Sequence, residues 1–174
     1  MNYSMVLYIL GYILKFESAF LMLPALVSLL YQERAGIPFV ITAAICLVLG
    51  IVFTHKKPSS STVYTREGFV TVALSWIVMS IFGALPFVWN GDIPYYVDAL
   101  FETVSGFTTT GSSILSDVES LSHASLFWRS FSHWIGGMGV FVFIMSILPL
   151  MGGSTINLMK AESPGPSVSR LVPH

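Results

Sequence analysis

The chain contains very few charged residues for its length. Only 10% of its 174 residues are Asp, Glu, Lys or Arg, whereas 54% are hydrophobic and the mean hydropathy is +0.77. A soluble domain usually carries about 25% charged residues, and a chain of this size cannot bury so much apolar surface in its own core. The shortage of charge therefore excludes an ordinary soluble domain and predicts a membrane protein, in contact with membrane lipid.

Other absences exclude further classes of protein. The single cysteine, Cys46, lies in an apolar run, so we expect a small buried side chain rather than an internal disulfide or a cysteine-based metal site. A net charge of −1 provides no basic stripe for nucleic acid. The N-terminus lacks the basic region and cleavage site of a signal peptide. Neither HExxH nor Gly-x-Ser-x-Gly is present, so we expect no enzyme and no cofactor.

Four apolar segments are long enough to cross about 30 Å of hydrocarbon, which takes about 20 helical residues. They are residues 5–31, 37–54, 68–89 and 126–151. A short polar connection makes the first two a helical hairpin, and the long loop 90–125 separates the last two. Pro24 and Pro86 are expected to kink or end their helices.

That long loop contains no Lys or Arg, and its charges are all carboxylates: Asp92, Asp98, Glu102, Asp117 and Glu119. The basic residues Lys56, Lys57, Arg66, Lys160 and Arg170 lie in the other connections and the C-terminal tail. By the positive-inside rule, both termini face the cytoplasm and the acidic loop faces outward. Trp89, Tyr95, Tyr96 and Trp128 are then expected to form an interfacial aromatic belt at the outer side.

Within the acidic loop, a helix-like stretch at 97–106 leads into a Thr- and Ser-rich run at 107–113. As a helix, 97–106 reaches about 15 Å, half the hydrocarbon thickness. Five or six extended residues return over the same depth. Non-helical backbone is tolerated at that depth only when it is buried in protein or lines a water-filled cavity. The pattern favours a re-entrant pore helix and an ion-selectivity filter; the alternative for the run on its own is a surface turn.

The predicted ion-binding residues are Thr108, Thr109, Thr110, Gly111 and Ser112. Main-chain carbonyls can replace the water shell of a cation, and a glycine allows them to turn toward one axis. The carboxylates of Asp98, Glu102, Asp117 and Glu119 are predicted to raise the cation concentration at the outer mouth.

Three polar residues within the spans leave alternatives open. Lys15 either reaches the inner interface or, with Glu17, is neutralised against another helix. Arg129 either braces the pore helix by pairing with Glu102 or Asp98, or reaches the headgroups.

Two further features of the fourth span are interpreted as packing. Small residues at 136, 137 and 139 favour close helix packing, with a hinge as the alternative. His133 is expected to be a hydrogen-bonded packing residue rather than a metal ligand.

Taken together, these motifs resemble the Trk/Ktr/HKT superfamily of potassium transporters, in particular its TrkH-type uptake subunits. The matching segments are 66–69, 83–87 (Gly-Ala-Leu-Pro-Phe), 98–111 (through Thr-Thr-Thr-Gly), 133–139 (His-Trp-Ile-Gly-Gly-Met-Gly) and 161–166. The resemblance implies an all-α membrane protein with an N-terminal transmembrane helix pair and one helix–pore loop–helix (M1-P-M2) unit. Four such units would surround one pore, so this chain would supply one quarter of the filter.

The function implied by the resemblance is potassium uptake across the plasma membrane, the inner membrane of the cell. Potassium would be the substrate, held by carbonyls of Thr109, Thr110, Gly111 and Ser112, and glycine rather than serine at 111 goes with potassium preference over sodium. The family's transporters usually act with a cytoplasmic nucleotide-binding regulatory subunit.

The predicted organisation follows from these segments. Residues 1–57 are the helix pair, 58–67 a cytoplasmic linker, 68–152 the pore unit, and 153–174 a cytoplasmic tail that we expect to be a truncated connection to a second unit. The remaining pore units would come from the same protein or from a homo-oligomer. The alternative function is a non-conducting membrane assembly or regulatory subunit, or an inactive fragment.

Overall fold

The computed structural model describes residues 3–58 and 65–147, and this part of the chain contains helices and no strands. The helices are α1 (Tyr3–Leu30), α2 (Gly36–Thr54), α3 (Thr65–Gly83), α4 (Leu85–Asn90), α5 (Tyr96–Phe107) and α6 (His123–Ile147). The all-α prediction is therefore confirmed. The chain forms two compact units, 1–137 and 138–174. In the second unit the described residues, 138–147, are helical.

Some predicted segments fall partly or wholly outside the described residues. These are most of the linker 58–67, the end of the fourth span at 148–151, and the tail 153–174 with Lys160 and Arg170. Helix α3 begins at Thr65, which is earlier than the predicted start at 68.

Three helical segments among the described residues are long and apolar enough to cross a membrane: Tyr3–Leu30, Gly36–Thr54 and Gly68–Asn90. They correspond to the first three predicted spans. Helix α6 covers residues 126–147 of the fourth and begins three residues before it, at His123.

The third span is interrupted rather than continuous. Helix α3 ends at Gly83, and α4 begins at Leu85 with Pro86 in its first turn, because proline has no N–H to continue the ladder. The indole Nε1 of Trp128 donates to the carbonyl of Gly83 at 2.9 Å. Trp128 is 0% exposed, so its predicted place in an interfacial aromatic belt is wrong. Pro24, in contrast, lies inside α1, which continues to Leu30.

Helices α1 and α2 pack closely along a seam of small residues. A Cβ atom on Gly50 would lie only 2.7 Å from the carbonyl oxygen of Gly11, so the two backbones approach as glycine allows. Ser18 donates to the carbonyl of Ala43 at 2.7 Å. Cys46 is buried, which confirms the prediction of a small buried side chain at that position.

The two ionisable residues of α1 have separate environments. Lys15 donates from Nζ to Oγ1 of Thr54, the last residue of α2, at 2.6 Å. Glu17 is 0% exposed, and neither of its carboxylate oxygens has a hydrogen-bond partner among the described residues. Lys15 thus bonds to the neighbouring helix at the end of α2, and its position relative to the membrane interface stays a prediction.

The loop between α1 and α2 contacts the start of α6. The ring of His123 stacks on Tyr31 with centroids 4.0 Å apart, and its Nδ1 lies 2.6 Å from Oε1 of Glu33. Burial raises the pKa of Glu33, but its hydrogen bonds to His123 and the charge there outweigh that effect, so the net pKa lies below its ordinary value. The α1–α2 loop and the start of α6 are thus at the same end of the helices.

Candidate functional site

Helix α5 is short and has two distinct faces. One face, which includes Glu102, Thr103 and Ser105, is buried against the rest of the chain. The opposite face presents Val97, Phe101 and Val104, which are 74%, 49% and 41% exposed. These positions follow helical spacing, so α5 has one buried, hydrogen-bonded face and one apolar face that the described residues leave uncovered.

The C-terminus of α5 closes with a Schellman-type hydrogen-bond pattern. The N–H of Thr110 donates to the carbonyl of Ser105 at 3.0 Å, and the N–H of Thr109 donates to the carbonyl of Gly106 at 2.9 Å. This motif requires a left-handed residue after the helix, a position that glycine usually occupies. Thr109 occupies it with φ +56°, an uncommon and strained conformation for a β-branched residue.

Beyond Thr109 the backbone is irregular and exposed through Ser113. Gly111 is again left-handed, with φ +75°. Among the hydrogen bonds of the described residues, none reaches the carbonyls of Thr109, Thr110 or Gly111. The hydroxyls of Thr108 and Thr110 bond to one another at 2.8 Å. The segment therefore offers unbonded main-chain oxygens, while the hydroxyls of Thr108 and Thr110 are occupied locally.

Two predicted details of this segment need correction. Phe107 belongs to α5 and is 1% exposed, so the irregular segment begins at 108 rather than 107. The carbonyl of Ser112 accepts a hydrogen bond from Oγ of Ser105 at 2.5 Å. That oxygen is directed at the helix, so the structure does not support its predicted role as an ion ligand and instead makes Ser112 a point of attachment.

Glu102 forms the second attachment between α5 and this segment. Its carboxylate is bonded by Nε of Arg129, by Oγ of Ser113 at 3.0 Å and by the N–H of Ile114 at 3.2 Å. The side chain of Glu102 is fully buried, and that of Arg129 is 17% exposed. A buried charge requires such a partner and further donors. The prediction that Glu102 is one of the carboxylates at the outer mouth is therefore wrong. Arg129 pairs with Glu102, as in the alternative in which it braces the pore helix.

The other acidic residues of the loop remain accessible to solvent. Asp98 is half-buried in the first turn of α5, where a carboxylate stabilises the helix dipole. Asp117 and Glu119 are exposed, and Asp117 accepts from the N–H of Glu119 at 3.0 Å. Their predicted effect on cation concentration stays a prediction.

Helix α6 supports α5 through small residues. A Cβ on Gly136 would lie 2.2 Å from the carbonyl oxygen of Phe107, and one on Gly106 would lie 2.2 Å from Oγ of Ser132. Close packing at Gly136 is therefore confirmed. Nδ1 of His133 lies 2.8 Å from the carbonyl of Arg129, which confirms its role as a hydrogen-bonded packing residue.

Sequence reasoning missed Ser105 and Ser113 as residues that attach the segment to α5. Ser105 follows Glu102 by three residues and so shares its helix face, a signal that was available in the sequence. Ser113 depends on the path of the chain after Gly111, for which no local pattern is diagnostic.

These features define a class: an all-helical membrane protein in which a short helix and an irregular polar segment are held between longer helices. The structure of the potassium transporter TrkH from Vibrio parahaemolyticus matches with a TM-score of 0.81 and 37% identity, over 88% of this chain and 33% of that one. The TrkH family model, described as a cation transport protein, matches residues 36–171. The chain belongs to the TrkH family of cation transport proteins.

Proteins from distantly related organisms also match this chain, and they too are named as cation or potassium transporters. The Trk system potassium uptake protein TrkH of Salmonella typhimurium is 38% identical over 168 residues, which cover 95% of this chain and 35% of that protein. An uncharacterized cation transporter of Methanocaldococcus jannaschii is 35% identical over 159 residues. The chain thus spans about a third of the length of the curated relatives it matches.

Proposed function

We propose that this chain supplies one quarter of the selectivity filter of a potassium uptake system in the plasma membrane. The single observation that supports this most strongly is the exposed segment 109–111, whose three carbonyls have no hydrogen-bond donor among the described residues. Oxygens of this kind replace the hydration shell of a potassium ion. The filter ligands we propose are the carbonyls of Thr109, Thr110 and Gly111.

The segment would lie within the membrane, with α5 as a re-entrant pore helix. Ser112 and Ser113 are bonded to Ser105 and Glu102 of α5, so the segment returns along the helix that precedes it. A helix followed by an irregular segment that returns along it begins and ends on one side of the bilayer. The exposed carbonyls then require a water-filled cavity or a cation.

The rest of the filter would come from other pore units. The uncovered face of α5, formed by Val97, Phe101 and Val104, is suited to contact a neighbouring unit of the same protein or of a homo-oligomer. A cytoplasmic nucleotide-binding regulatory subunit is a further proposed partner, on the family resemblance alone.

The proposed orientation places both termini in the cytoplasm and the acidic loop outside. The contact of Glu33 with His123 supports this topology, because it puts the α1–α2 loop on the same side as the end of the acidic loop. The basic residues Lys56 and Lys57 then lie on the opposite, cytoplasmic side.

Substitution of Gly111 by serine tests the proposal. The complete gene product would be expressed in cells that lack other potassium uptake, and rubidium uptake would be measured against increasing sodium. We expect Gly111→Ser to lower the preference for rubidium over sodium, because φ +75° strains any side chain and disturbs the carbonyls on either side.

Gly91→Ser is the matched control. Gly91 has φ +82°, and, as at Gly111, a Cβ there would meet nothing within 4 Å, but it lies after α4 and outside the filter. Equal ion preference in wild type and Gly111→Ser would contradict the proposal. Equal loss of preference in both variants would show a general effect of backbone strain, which would also contradict it.

A further inference from the structure

An apolar groove lies where the N-terminal part of α1 passes the C-terminal end of α2. Its volume is about 700 Å³, and its walls include Leu7, Ile51, Val52 and Phe53. Leu7, Ile51 and Val52 are 47%, 51% and 60% exposed. The groove is thus open to its surroundings and lined by aliphatic and aromatic side chains.

The groove arises from a difference in helix length. Helix α1 has 28 residues and α2 has 19, or about 42 Å against about 29 Å at 1.5 Å per residue. A Cβ on Gly11 would lie 2.8 Å from Cγ2 of Thr54, the last residue of α2. The residues of α1 that precede Gly11 therefore project beyond the end of α2 and form one wall of the groove.

Positive charge is concentrated at the rim of this groove. His55 and Lys56 line it, no carboxylate of the described residues does, and Lys57 follows directly in the chain. All three residues are exposed. The ion pairs of the described residues are His123–Glu33 and Arg129–Glu102, so neither lysine is neutralised by a carboxylate in this part of the chain. Lys15 is directed to Thr54 instead.

We propose that this groove binds an anionic phospholipid, with an acyl chain against Leu7 and Val52 and the phosphate at His55, Lys56 and Lys57. The charge at the end of a helix that spans the hydrocarbon lies at the depth of the headgroups, and basic pockets between helices there select anionic lipids. Assignment to the cytoplasmic leaflet rests on the proposed orientation of the transporter; binding itself does not.

Native mass spectrometry of the purified complete gene product tests the site. The probes are phosphatidylglycerol and phosphatidylcholine with the same acyl chains. We expect Lys56→Gln/Lys57→Gln to weaken phosphatidylglycerol binding by about 30-fold, which corresponds to about 1 kcal/mol for each lysine. Arg34→Gln removes an exposed cation at the opposite end of the helix pair and should leave binding unchanged. An equal effect of both variants, or none, would overturn the proposal.

Val52→Trp tests the apolar half of the site without altering charge. It should weaken binding of both lipids by filling the groove, whereas 10 mM inorganic phosphate should displace neither. Displacement by phosphate, or full binding to Val52→Trp, would show recognition of the headgroup alone and reject the groove. Rubidium uptake is measured separately, so lipid binding without uptake would reject the proposed function, and uptake without lipid binding would reject only this site.

Discussion

Substitution of Glu102 by glutamine should loosen the segment that follows Gly111. The carboxylate is fully buried and accepts from Arg129, Ser113 and Ile114. Hydrogen bonds to charged groups contribute about 1.5–3 kcal/mol each, and removal of one member of a buried ion pair costs about 3–5 kcal/mol. The glutamine retains one acceptor oxygen, so we expect the free energy of unfolding to fall by about 3 kcal/mol, the lower end of the range for breaking a buried ion pair.

The ion pair between Glu102 and Arg129 predicts which variants lose the most stability. Arg129→Gln should be more damaging than Glu102→Gln, because it leaves a carboxylate with 0% exposure, whereas Arg129 keeps 17% exposure and can reach solvent. Ser113→Ala should cost less than either, since it removes one donor. The double variant Glu102→Gln/Arg129→Gln should lose less than the sum of the single losses, because neither charge remains unpaired.

Thermal unfolding in detergent and the rubidium-to-sodium preference of uptake would both be measured. Glu119→Gln is the matched control, an exposed carboxylate of the same loop, and should alter neither quantity. The reasoning would be refuted if the two single losses of stability simply added in the double variant, or if Glu102→Gln kept both wild-type stability and ion preference.

Two other predictions concern packing and pH. Gly136→Ala should destabilise the protein by about 1–3 kcal/mol, because its Cβ would lie 2.2 Å from the backbone oxygen of Phe107. Gly137→Ala is the control and should be neutral or stabilising, because the nearest atom to its Cβ would be 3.9 Å away. Equal melting temperatures of the two variants would contradict this prediction. The lowered pKa of Glu33 contributes stability above the ordinary glutamate pKa, and this stability is lost as pH falls through the folded-state value. Glu33→Gln should therefore flatten the acid end of the melting-temperature profile, and an unchanged profile would reject the linkage.

The fold was largely predictable because each span has a strong local signal. The length of the apolar segments identified the membrane-spanning helices. The predicted short helix 97–106 differs from α5 by one residue at each end. Pro86 indicated the point where the third span is interrupted. The close approach at Gly136 was predicted from composition alone, since small residues in an apolar helix have few other uses.

The parts of the site that depend on tertiary contacts were less predictable. Glu102 lies in a loop rich in carboxylates. The residues around it in the sequence predict an exposed side chain, as the residues around Asp98 do for Asp98. Its burial depends on Arg129, 27 residues away. The direction of the Ser112 carbonyl depends on local backbone angles and on the hydroxyl of Ser105, which residue type does not determine. Trp128 was assigned to the interface because an aromatic near a span end usually lies there.

The contacts of the irregular segment explain why it can remain strained. The left-handed Thr109 would relax readily in a free loop, but it lies between the capped end of α5 and an irregular segment held at Ser112 and Ser113. Among the described residues, the hydrogen bonds that hold this segment come from Ser105 and Glu102 of α5, and Arg129 of α6 holds Glu102 in place. The carbonyls of Thr109, Thr110 and Gly111 take no part in these bonds. Burial of unbonded carbonyls costs about 1–3 kcal/mol each, so this arrangement is stable in a membrane only where water or a cation faces those oxygens.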